Sequence, residues 1–468
     1  MDVIARHARE RPEAEAVGDV GGARCTYGEL ASVVAARASC LREFVRPRGV
    51  VVAVVPQAVD FVAWFCASIA AGVHFFPMHP QIAGPEARGA AARAGAVALI
   101  GGEGLGLEPG FAQISNEAVS TDGASAERVA SHRPPGAIVI GSSGTTGLPK
   151  LALRTSASLD ADAAGIITGM GLTRNDRVVV ATPLCHSYGV DLLVGTLTAG
   201  ASLRVVGRFD AETVAAELAA GATVLPGVPF IFEALARCSA ARSRSLRLAL
   251  SAGSPLPRGV RDGFFDVWGV EVGQLYGATE LGTVSMDVPG TAGFDAASVG
   301  RPLPGVSMRI VDVEDANRLL GAGEEGQLAV RADSMLAAYL DGEVPLTDGH
   351  LLTGDLATMD AEGRVRITGR LKLLIDVGAY KVNPLEVESV LGAHPEVVEC
   401  VIVPIAASET VQRVRAVVVV RDRGRPHIAE DLREYLRDRL APIKVPRVVE
   451  LVDSLPRTTM GKVARDRV

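Results

Sequence analysis

The stretch GSSGTTGLPK at residues 141–150 holds three glycines, two serines and two threonines, and it ends in a lysine. It follows the apolar run AIVI at residues 137–140. Glycines let successive backbone N–H groups turn toward one anion, while hydroxyls and a lysine add donors and a positive charge. In a Walker loop the lysine directly follows a glycine, but in this stretch it does not. The stretch predicts a polyphosphate-binding loop, although a surface linker rich in serine and glycine has the same composition.

The composition is typical of a large globular protein from a reducing compartment. The length of 468 residues indicates two or more folding units, and the 48% hydrophobic content suffices to bury a substantial core. A formal net charge of −7 argues against a nucleic-acid partner. Six cysteines are scattered without a C-x-x-C pair, which indicates reduced thiols and argues against a zinc site.

Neither export nor membrane insertion is predicted. Charged residues from Asp2 to Glu10 precede any long apolar run, so no signal peptide is visible. The most apolar stretch, at residues 61–76, is too short for a bilayer span and contains His74. We therefore expect a cytoplasmic protein without a membrane partner, in which this stretch includes a buried helix between strands.

Apolar runs alternate with helical segments over more than half of the chain. The run GVVVAVVP at 49–56 is typical of a buried parallel strand, and a helix from Asp60 to about Ala71 and a strand at 73–78 follow it. The rhythm recurs at Ala96–Ile100, Ala137–Ile140, Arg177–Thr182, Ser202–Val206, Ala222–Leu225 and Leu246–Ser251. This pattern predicts an α/β fold with parallel-rich sheets, whose ligands bind at the carboxyl ends of the strands.

The pattern changes beyond about residue 300. Alternating, glycine-bounded runs at 300–312, 325–332 and 363–370 predict a small antiparallel β unit. The residues after Arg370 predict a compact α+β segment. Its elements are a helix at Glu386–Leu391, strands at 398–405 and 414–422, and an amphipathic helix at Asp431–Leu440.

Four further motifs carry polar residues suited to chemistry. They are YGATE at 276–280, LLTGDL at 351–356, GRLK at 369–372 and PRTTMGK at 456–462. Each is weak alone, because Asp355 could simply be a turn residue and Lys462 a solvated lysine near a chain end. The motifs become informative only when their order and spacing along the chain are considered together.

Together with the 141–150 loop, these motifs resemble the adenylate-forming superfamily of acyl- and aryl-CoA synthetases, nonribosomal peptide synthetase adenylation domains and luciferases. The resemblance covers nearly the whole chain. It implies a large N-terminal domain of parallel-rich αβ sheets plus a small β unit at residues 1–370, and a mobile small α+β C-terminal domain at residues 371–468. It also implies ATP- and Mg²⁺-dependent activation of a carboxylic acid to an acyl adenylate, with release of pyrophosphate.

The resemblance assigns roles around the nucleotide. The 141–150 loop would hold the β- and γ-phosphates, Asp355 would bind the ribose hydroxyls, and Arg370 would contact ribose or phosphate. The segment AGSPL at 252–256 would form the adenine wall, with Tyr276 stacking on the base. The candidate nucleotide-binding residues are Ser142, Ser143, Gly144, Thr145, Thr146, Gly147, Lys150, Ala252, Gly253, Ser254, Tyr276, Gly277, Asp355 and Arg370.

The resemblance also implies the catalytic residues. Glu280 would bind the Mg²⁺ that neutralises phosphate charge, and Thr279 would hydrogen-bond the α-phosphate. Lys462 would stand between the attacking carboxylate and the α-phosphate, where charge develops. In this family the small domain rotates between two half-reactions, and Lys372 matches the hinge position.

The acid is expected to be an aryl or small acyl compound. Ser187 stands where amino-acid-activating members carry an aspartate for the substrate ammonium, so an α-amino acid is not expected. KLALRT at 150–155 resembles the aryl-acid adenylating enzymes of siderophore pathways, whereas residues 369–388 resemble acyl-CoA and coumarate-type ligases. His186 is either a gating residue of the acid pocket or a packed histidine. The candidate pocket residues are His186, Ser187, Tyr188, Val228, Pro229, Ser251, Gly277 and Leu281.

The acceptor is less well defined. The resemblance implies a tunnel for CoA or a carrier-protein phosphopantetheine thiol at Gly378, Ala379 and Tyr380. CoA ligases usually carry a glycine where Ala379 stands, and the extra methyl group would narrow the tunnel. A non-thiol acceptor such as an amine is therefore an alternative, as is a degenerate nucleotide-binding regulator.

Overall fold

The structure is a computed structural model that describes residues 2–102, 112–114, 133–142, 150–238, 243–377, 380–406, 412–458 and 462–468. Its α-helices are α1 (Asp2–Glu10), α2 (Tyr27–Phe44), α3 (Ala58–Ala71), α4 (Gly84–Arg93), α5 (Ser156–Met170), α6 (Ser187–Ala199), α7 (Ala211–Ala219), α8 (Pro229–Leu235), α9 (Arg258–Trp268), α10 (Pro384–Gly392) and α11 (Ile428–Arg437). Short 3₁₀ helices lie at Leu371–Leu373, Pro442–Lys444 and Arg465–Arg467.

The strands before residue 300 are β1 (Glu15–Asp19), β2 (Arg24–Thr26), β3 (Val50–Val54), β4 (His74–Pro77), β5 (Ala96–Gly101), β6 (Ala112–Ile114), β7 (Ala137–Ser142), β8 (Lys150–Thr155), β9 (Arg177–Val180), β10 (Ser202–Val205), β11 (Val224–Gly227), β12 (Leu248–Ser251), β13 (Val272–Ala278) and β14 (Gly282–Asp287). Those after it are β15 (Arg301–Pro302), β16 (Val306–Val311), β17 (Gly326–Ala332), β18 (Ala338–Tyr339), β19 (Leu346–Thr347), β20 (His350–Met359), β21 (Val365–Arg370), β22 (Ile375–Val377), β23 (Tyr380–Val382), β24 (Val397–Ala406), β25 (Gln412–Val420) and β26 (Val448–Leu451).

Two large sheets dominate the N-terminal part of the chain. One has the strand order β15-β14-β13-β12-β11-β9-β10-β1-β2, and the other β18-β8-β7-β4-β3-β5-β6. Their central strands are parallel, and antiparallel strands lie toward the edges. Strand β3 shows why the sequence reads as an unbroken apolar run. Val51 and Ala53 enter one hydrophobic core, while Val50, Val52 and Val54 enter a second core on the opposite face.

The predicted α/β fold with parallel-rich sheets is confirmed, although one short strand is placed differently. We predicted that residues 300–312 belong to the small antiparallel unit, but Arg301 and Pro302 pair with β14 at the edge of the first large sheet. Proline is tolerated at such an edge because no neighbouring strand needs its missing N–H. The remaining strands do form an antiparallel sheet of order β16-β17-β20-β19, with β21 also paired to β20.

The C-terminal residues surround a hydrophobic core of their own. A sheet of order β24-β25-β26 packs with the hairpin β22–β23 and helices α10 and α11. Helix α11 begins at Ile428 rather than at the predicted Asp431, because Ile428 shares a buried face with Leu432 and Leu436. A domain boundary at residue 370 stays a prediction, and Lys372 lies in the 3₁₀ helix that follows β21.

Across the described ranges, no helix has the length and apolar character needed to cross a bilayer. The apolar stretch at 61–76 folds into most of α3, which is followed by β4.

Candidate active site

The Asp355 carboxylate is the meeting point of three predicted motifs. Strands β20 and β21 pair Asp355 with Arg370, whose Nε lies 3.3 Å from one carboxylate oxygen. The Tyr276 hydroxyl at the end of β13 donates a 2.6 Å hydrogen bond to the other oxygen. Burial raises the pKa of Asp355, while Arg370, Tyr276 and Lys462 oppose that shift. Three predicted nucleotide-binding residues therefore form one compact cluster.

Lys462 reaches this cluster from the C-terminal segment. A side chain at Gly253 would place its Cβ 3.2 Å from Lys462 Cε and 3.4 Å from Nζ, and Gly253 has a φ of +84°. Glycine is thus favoured there both by backbone conformation and by the close approach of the lysine. Although Lys462 retains solvent-exposed surface, the protein around it reduces hydration and lowers its pKa. Arg370 lowers that pKa further, and Asp355 raises it.

The turn between β13 and β14 holds Thr279 and Glu280. The Glu280 carboxylate accepts a 3.0 Å hydrogen bond from the Tyr339 hydroxyl on β18. The Nζ atom of Lys150 lies 4.8 Å from the centroid of the Tyr339 ring, a cation–π contact. Burial and Glu280 together raise the pKa of Tyr339, which remains a neutral donor. Tyr339 thus joins two predicted site residues, and no motif in the sequence marked it.

Glu280 offers the kind of ligand that Mg²⁺ prefers. A carboxylate oxygen suits this hard cation, which commonly takes one or two protein carboxylates together with phosphate oxygens and water. Within the described ranges, no group of three or more metal-ligating side chains gathers at one place. The donor set therefore fits a metal ion carried with a polyphosphate better than an ion held by protein alone.

The predicted phosphate loop lies between two antiparallel strands. Strands β7 and β8 pair Ser142 with Lys150 in register. A Walker loop instead leads from a strand into a helix, so the two arrangements differ as the sequence indicated. The predicted phosphate ligands Ser143, Gly144, Thr145, Thr146 and Gly147 lie outside the described residues.

The predicted adenine-wall segment is described in full, whereas the predicted acceptor tunnel is described only in part. Ala252, Gly253 and Ser254 directly follow β12, and the Ala252 N–H donates a 2.9 Å hydrogen bond to the Gly227 carbonyl. Of the predicted acceptor tunnel, Gly378 and Ala379 lie outside the described residues, and Tyr380 is the first residue of β23.

His186 immediately precedes the first turn of α6. Its Nε2 atom is buried and has no hydrogen-bond partner in the part of the chain that the structure describes. Burial, with help from His79 and Lys462, lowers the pKa of His186 to about 4. The ring is therefore uncharged at neutral pH.

The structure describes the surroundings of four further predicted pocket residues, which are Val228, Ser251, Tyr188 and Leu281. Val228 caps α8 at its N-terminus, and the buried hydroxyls of Ser251 and Tyr188 find no hydrogen-bond partner among the described residues. Such hydroxyls are suited to polar groups of a ligand. Leu281 instead packs in the core of the antiparallel sheet, where it is fully buried beside Val284. Its role in the pocket stays a prediction.

A buried ion cluster lies beneath this region and was not anticipated. Arg154, the arginine of KLALRT, bonds Asp191 at 2.5 Å and Asp162 at 2.8 Å. Asp162 also accepts a 3.0 Å hydrogen bond from the Thr283 N–H, and Ser187 Oγ lies 3.5 Å from Asp191. Burial alone would lower the pKa of Arg154, but the two carboxylates raise it, so the guanidinium stays charged. The cluster joins β8, α5, α6 and β14.

Comparison with known proteins assigns the family. Residues 4–340 match the model of the AMP-binding enzyme family, and residues 386–462 match that of the AMP-binding enzyme C-terminal domain. A feruloyl-CoA synthase from Amycolatopsis sp is 31% identical over 99% of this chain and 97% of its own length. An indoleacetate–CoA ligase from Aromatoleum aromaticum is 32% identical over 70% of this chain and 65% of its own length.

Solved structures agree with this assignment. ATP-bound MatB from Rhodopseudomonas palustris has a TM-score of 0.89 at 25% identity, covering 99% of this chain and 97% of its own. The apo form of MatB has a TM-score of 0.80 at the same coverage. The amide bond synthetase McbA from Marinactinospora thermotolerans has a TM-score of 0.86 at 26% identity, covering 99% and 98% of the two chains. The chain belongs to the AMP-binding enzyme family and is an acid-activating ligase.

Proposed function

We propose that this enzyme uses ATP and Mg²⁺ to convert a carboxylic acid into an acyl adenylate, and then forms a CoA thioester. The observation that carries the proposal is the position of Lys462, beside Gly253 and the Asp355–Arg370 pair. A cation from the C-terminal segment thereby joins a group of residues that suits a nucleotide. The CoA ligase activities named for the relatives support the same pair of reactions.

The residues divide the first reaction among them. An oxygen of the acid attacks the α-phosphorus, the bond to pyrophosphate breaks, and the acyl–AMP anhydride forms. Lys462 stabilises the negative charge that develops at this centre, because its ammonium is already positioned in the cleft. Asp355 would hold the ribose hydroxyls, and Glu280 would hold Mg²⁺, which would supply positive charge that screens the phosphates. In the second reaction a thiol attacks the acyl carbon and AMP leaves.

The charge around the acid pocket favours an acid with a single carboxylate. A second carboxylate would need its own cation, but His186 is uncharged at neutral pH and Arg154 is already paired with two aspartates. The unpartnered hydroxyls of Ser251 and Tyr188 suit an acid that carries hydroxyl or ether groups. The similarity to a feruloyl-CoA synthase along nearly the whole chain supports an aryl acid in particular.

One observation favours a second acceptor. The structural likeness to an amide bond synthetase extends over nearly the whole of both chains. An amine would attack the same acyl carbon and release AMP in the same way. CoA remains the acceptor that we propose, since the curated relatives named above form CoA thioesters.

The test is a pyrophosphate-release assay with ferulate, indoleacetate, malonate and phenylalanine, each with and without CoA. We expect ATP-dependent release that EDTA abolishes, highest catalytic efficiency with an aryl acid, and an aryl-CoA product by mass spectrometry. Highest efficiency with malonate would overturn the proposed acid class. Absence of acid-dependent release with every compound would overturn the adenylation proposal itself.

A further inference from the structure

Arg457 lies at the base of the segment that carries Lys462. Arg457 and Val463 form an antiparallel bridge, and the Thr458 N–H donates a 2.8 Å hydrogen bond to the Lys462 carbonyl. The position of the Arg457 backbone is therefore tied to that of Lys462. A contact that holds Arg457 in place also restrains the lysine.

The Arg457 side chain contacts both the C-terminal sheet and helix α8 in the N-terminal part of the chain. Its guanidinium lies 2.8 Å from Glu399 on β24 and 3.8 Å from Glu233 on α8. It also stands over the ring of Phe230 on α8, 5.1 Å from the ring centroid. Arg237, two residues beyond the end of α8, bonds Glu233 at 2.6 Å. Four side chains of alternating charge thus run from α8 to the C-terminal sheet.

The two carboxylates need the guanidinium between them. Burial and the negative charge of Glu233 raise the pKa of Glu399, while Arg457 and Arg237 oppose the shift. Without Arg457, two carboxylates from different parts of the chain would face each other across the junction, and like charges repel. The contact is favourable only while the C-terminal segment occupies its present position.

Helix α8 connects this contact to the cleft. Val228 caps the helix, and its Cγ1 lies 3.8 Å from the Cβ position at Gly253, the same position that Lys462 approaches. One short helix therefore presents Val228 to the cleft and presents Phe230 and Glu233 to Arg457. The distance between the two contact points is fixed by the helix.

We infer that Arg457, held by Glu233 and Phe230, is a positioning residue that seats Lys462 for adenylation and has no part in the second half-reaction. This inference rests on the proposed function. The contacts described above join the Arg457 side chain to Glu399, Glu233 and Phe230, which are not predicted catalytic residues. Arg457 acts by stabilising one placement of the C-terminal segment against α8, and its loss removes that preference while leaving each part folded.

The experiment measures the two half-reactions separately in the full-length enzyme. Adenylation is followed by ATP–pyrophosphate exchange with the best aryl acid of the panel, and thioester formation by adding CoA to the matching synthetic acyl adenylate. Arg457→Ala is expected to slow exchange about fivefold, the worth of a partly exposed ion pair plus a cation–π contact. Thioester formation is expected to stay within about twofold, since it needs no seated Lys462.

Matched variants separate positioning from folding. Arg423→Ala removes another C-terminal arginine, whose hydrogen-bond partners Asp453 and Leu451 lie in the same part of the chain. It should change neither half-reaction. Glu233→Gln tests the contact from the α8 side and should slow exchange alone. Arg457→Lys should recover part of the exchange rate, because it keeps the charge but loses the planar stacking.

The outcomes are distinct. Equal loss in both half-reactions, or an Arg457→Ala exchange rate no lower than that of Arg423→Ala, would overturn the inference. If Arg457→Ala does not fold, the same comparison of the exchange rate with the rate of thioester formation is made for Glu233→Gln. Equal loss of both rates in that variant would overturn the inference. A wild-type enzyme without acid-dependent exchange would contradict the proposed function instead, before any variant is compared.

Discussion

The ion clusters around Arg154 and Arg457 each place one guanidinium between two carboxylates, but they differ in burial. The side chains of Arg154, Asp162 and Asp191 are 0%, 0% and 5% exposed. Those of Arg457, Glu399 and Glu233 are 27%, 24% and 22% exposed. A fully buried cluster cannot open without leaving charges unpaired in the interior. A partly exposed one can exchange its partners for water at small cost.

This difference matches where the clusters lie. The Arg154 cluster ties together β8, α5, α6 and β14, all in the N-terminal part, so it fixes the framework of the cleft. The Arg457 cluster joins α8 to the C-terminal segment that carries Lys462. We therefore expect the Arg154 cluster to stay formed, and we propose that the more exposed Arg457 contact, which would seat Lys462, is released between the two half-reactions.

The largest expected effect comes from breaking the buried cluster. Arg154→Ala leaves Asp162 and Asp191 buried without their cation, and we expect the free energy of unfolding to fall by about 3–5 kcal/mol. Urea unfolding followed by circular dichroism measures the change, with Arg457→Ala as the matched arginine variant. A loss below about 1 kcal/mol would mean that water or rearrangement compensates the aspartates, and that the cluster is no rigid framework.

The second largest effect is expected in the cluster of Tyr276, Asp355 and Arg370. Asp355→Ala removes the carboxylate that binds Tyr276 and Arg370, and with it the proposed ribose contact. Because hydrogen bonds to a charged group are strong, we expect the KM for ATP to rise about tenfold. Exchange kinetics at varied ATP measure it. An unchanged KM for ATP, with normal thermal unfolding, would remove Asp355 from the nucleotide site.

A smaller effect is expected when the pH is varied, and it tests whether His186 is uncharged near neutral pH. Burial lowers the pKa of His186 to about 4, so the ring gains its proton only as the pH falls toward that value. The KM for the acid should therefore show no ionisation of His186 between about pH 6 and pH 8. Steady-state assays across this range check the point. A titration near pH 6.5 that disappears in His186→Gln would show a charged histidine that can serve a second carboxylate.

The smallest effect is expected at the surface. Arg423 pairs only with neighbours in its own part of the chain among the contacts that the structure describes. Arg423→Ala should change the free energy of unfolding by less than about 0.5 kcal/mol. Thermal unfolding measures this change. A larger loss of stability would mean that exposed ion pairs contribute more in this protein than we infer from the burial of the two clusters.

Most of the fold could be predicted because its signals are local. Strands β3, β9 and β12 are apolar runs buried on both faces, and such runs stand out in a sequence. The start of α11 was placed too late, at Asp431, although Ile428 continues the buried apolar face of Leu432 and Leu436. The edge strand β15 was misassigned because a two-residue strand carries no periodicity, and its pairing depends on a distant strand.

The site was predictable where motifs carry it and hidden where only tertiary structure does. Asp355, Arg370, Tyr276 and Lys462 each lie in a recognisable motif, and the structure brings them together. The partners of Arg154 sit on two different helices, with no spacing that links them to β8. Tyr339 meets Glu280 only because β18 pairs with β8. Single residues brought together by strand pairing leave no local trace in a sequence.

The most direct test of the central claim compares the two half-reactions in Lys462→Ala. A preorganised charge at the reacting centre is worth several kcal/mol, so ATP–pyrophosphate exchange should fall about a hundredfold or more. Formation of the CoA thioester from supplied acyl adenylate should remain close to the wild-type rate. Lys444→Ala, which removes a lysine paired with Glu386 away from the cleft, is the control. Near wild-type exchange by Lys462→Ala, or equal loss of both half-reactions, would contradict the proposal that a releasable C-terminal segment delivers the catalytic cation.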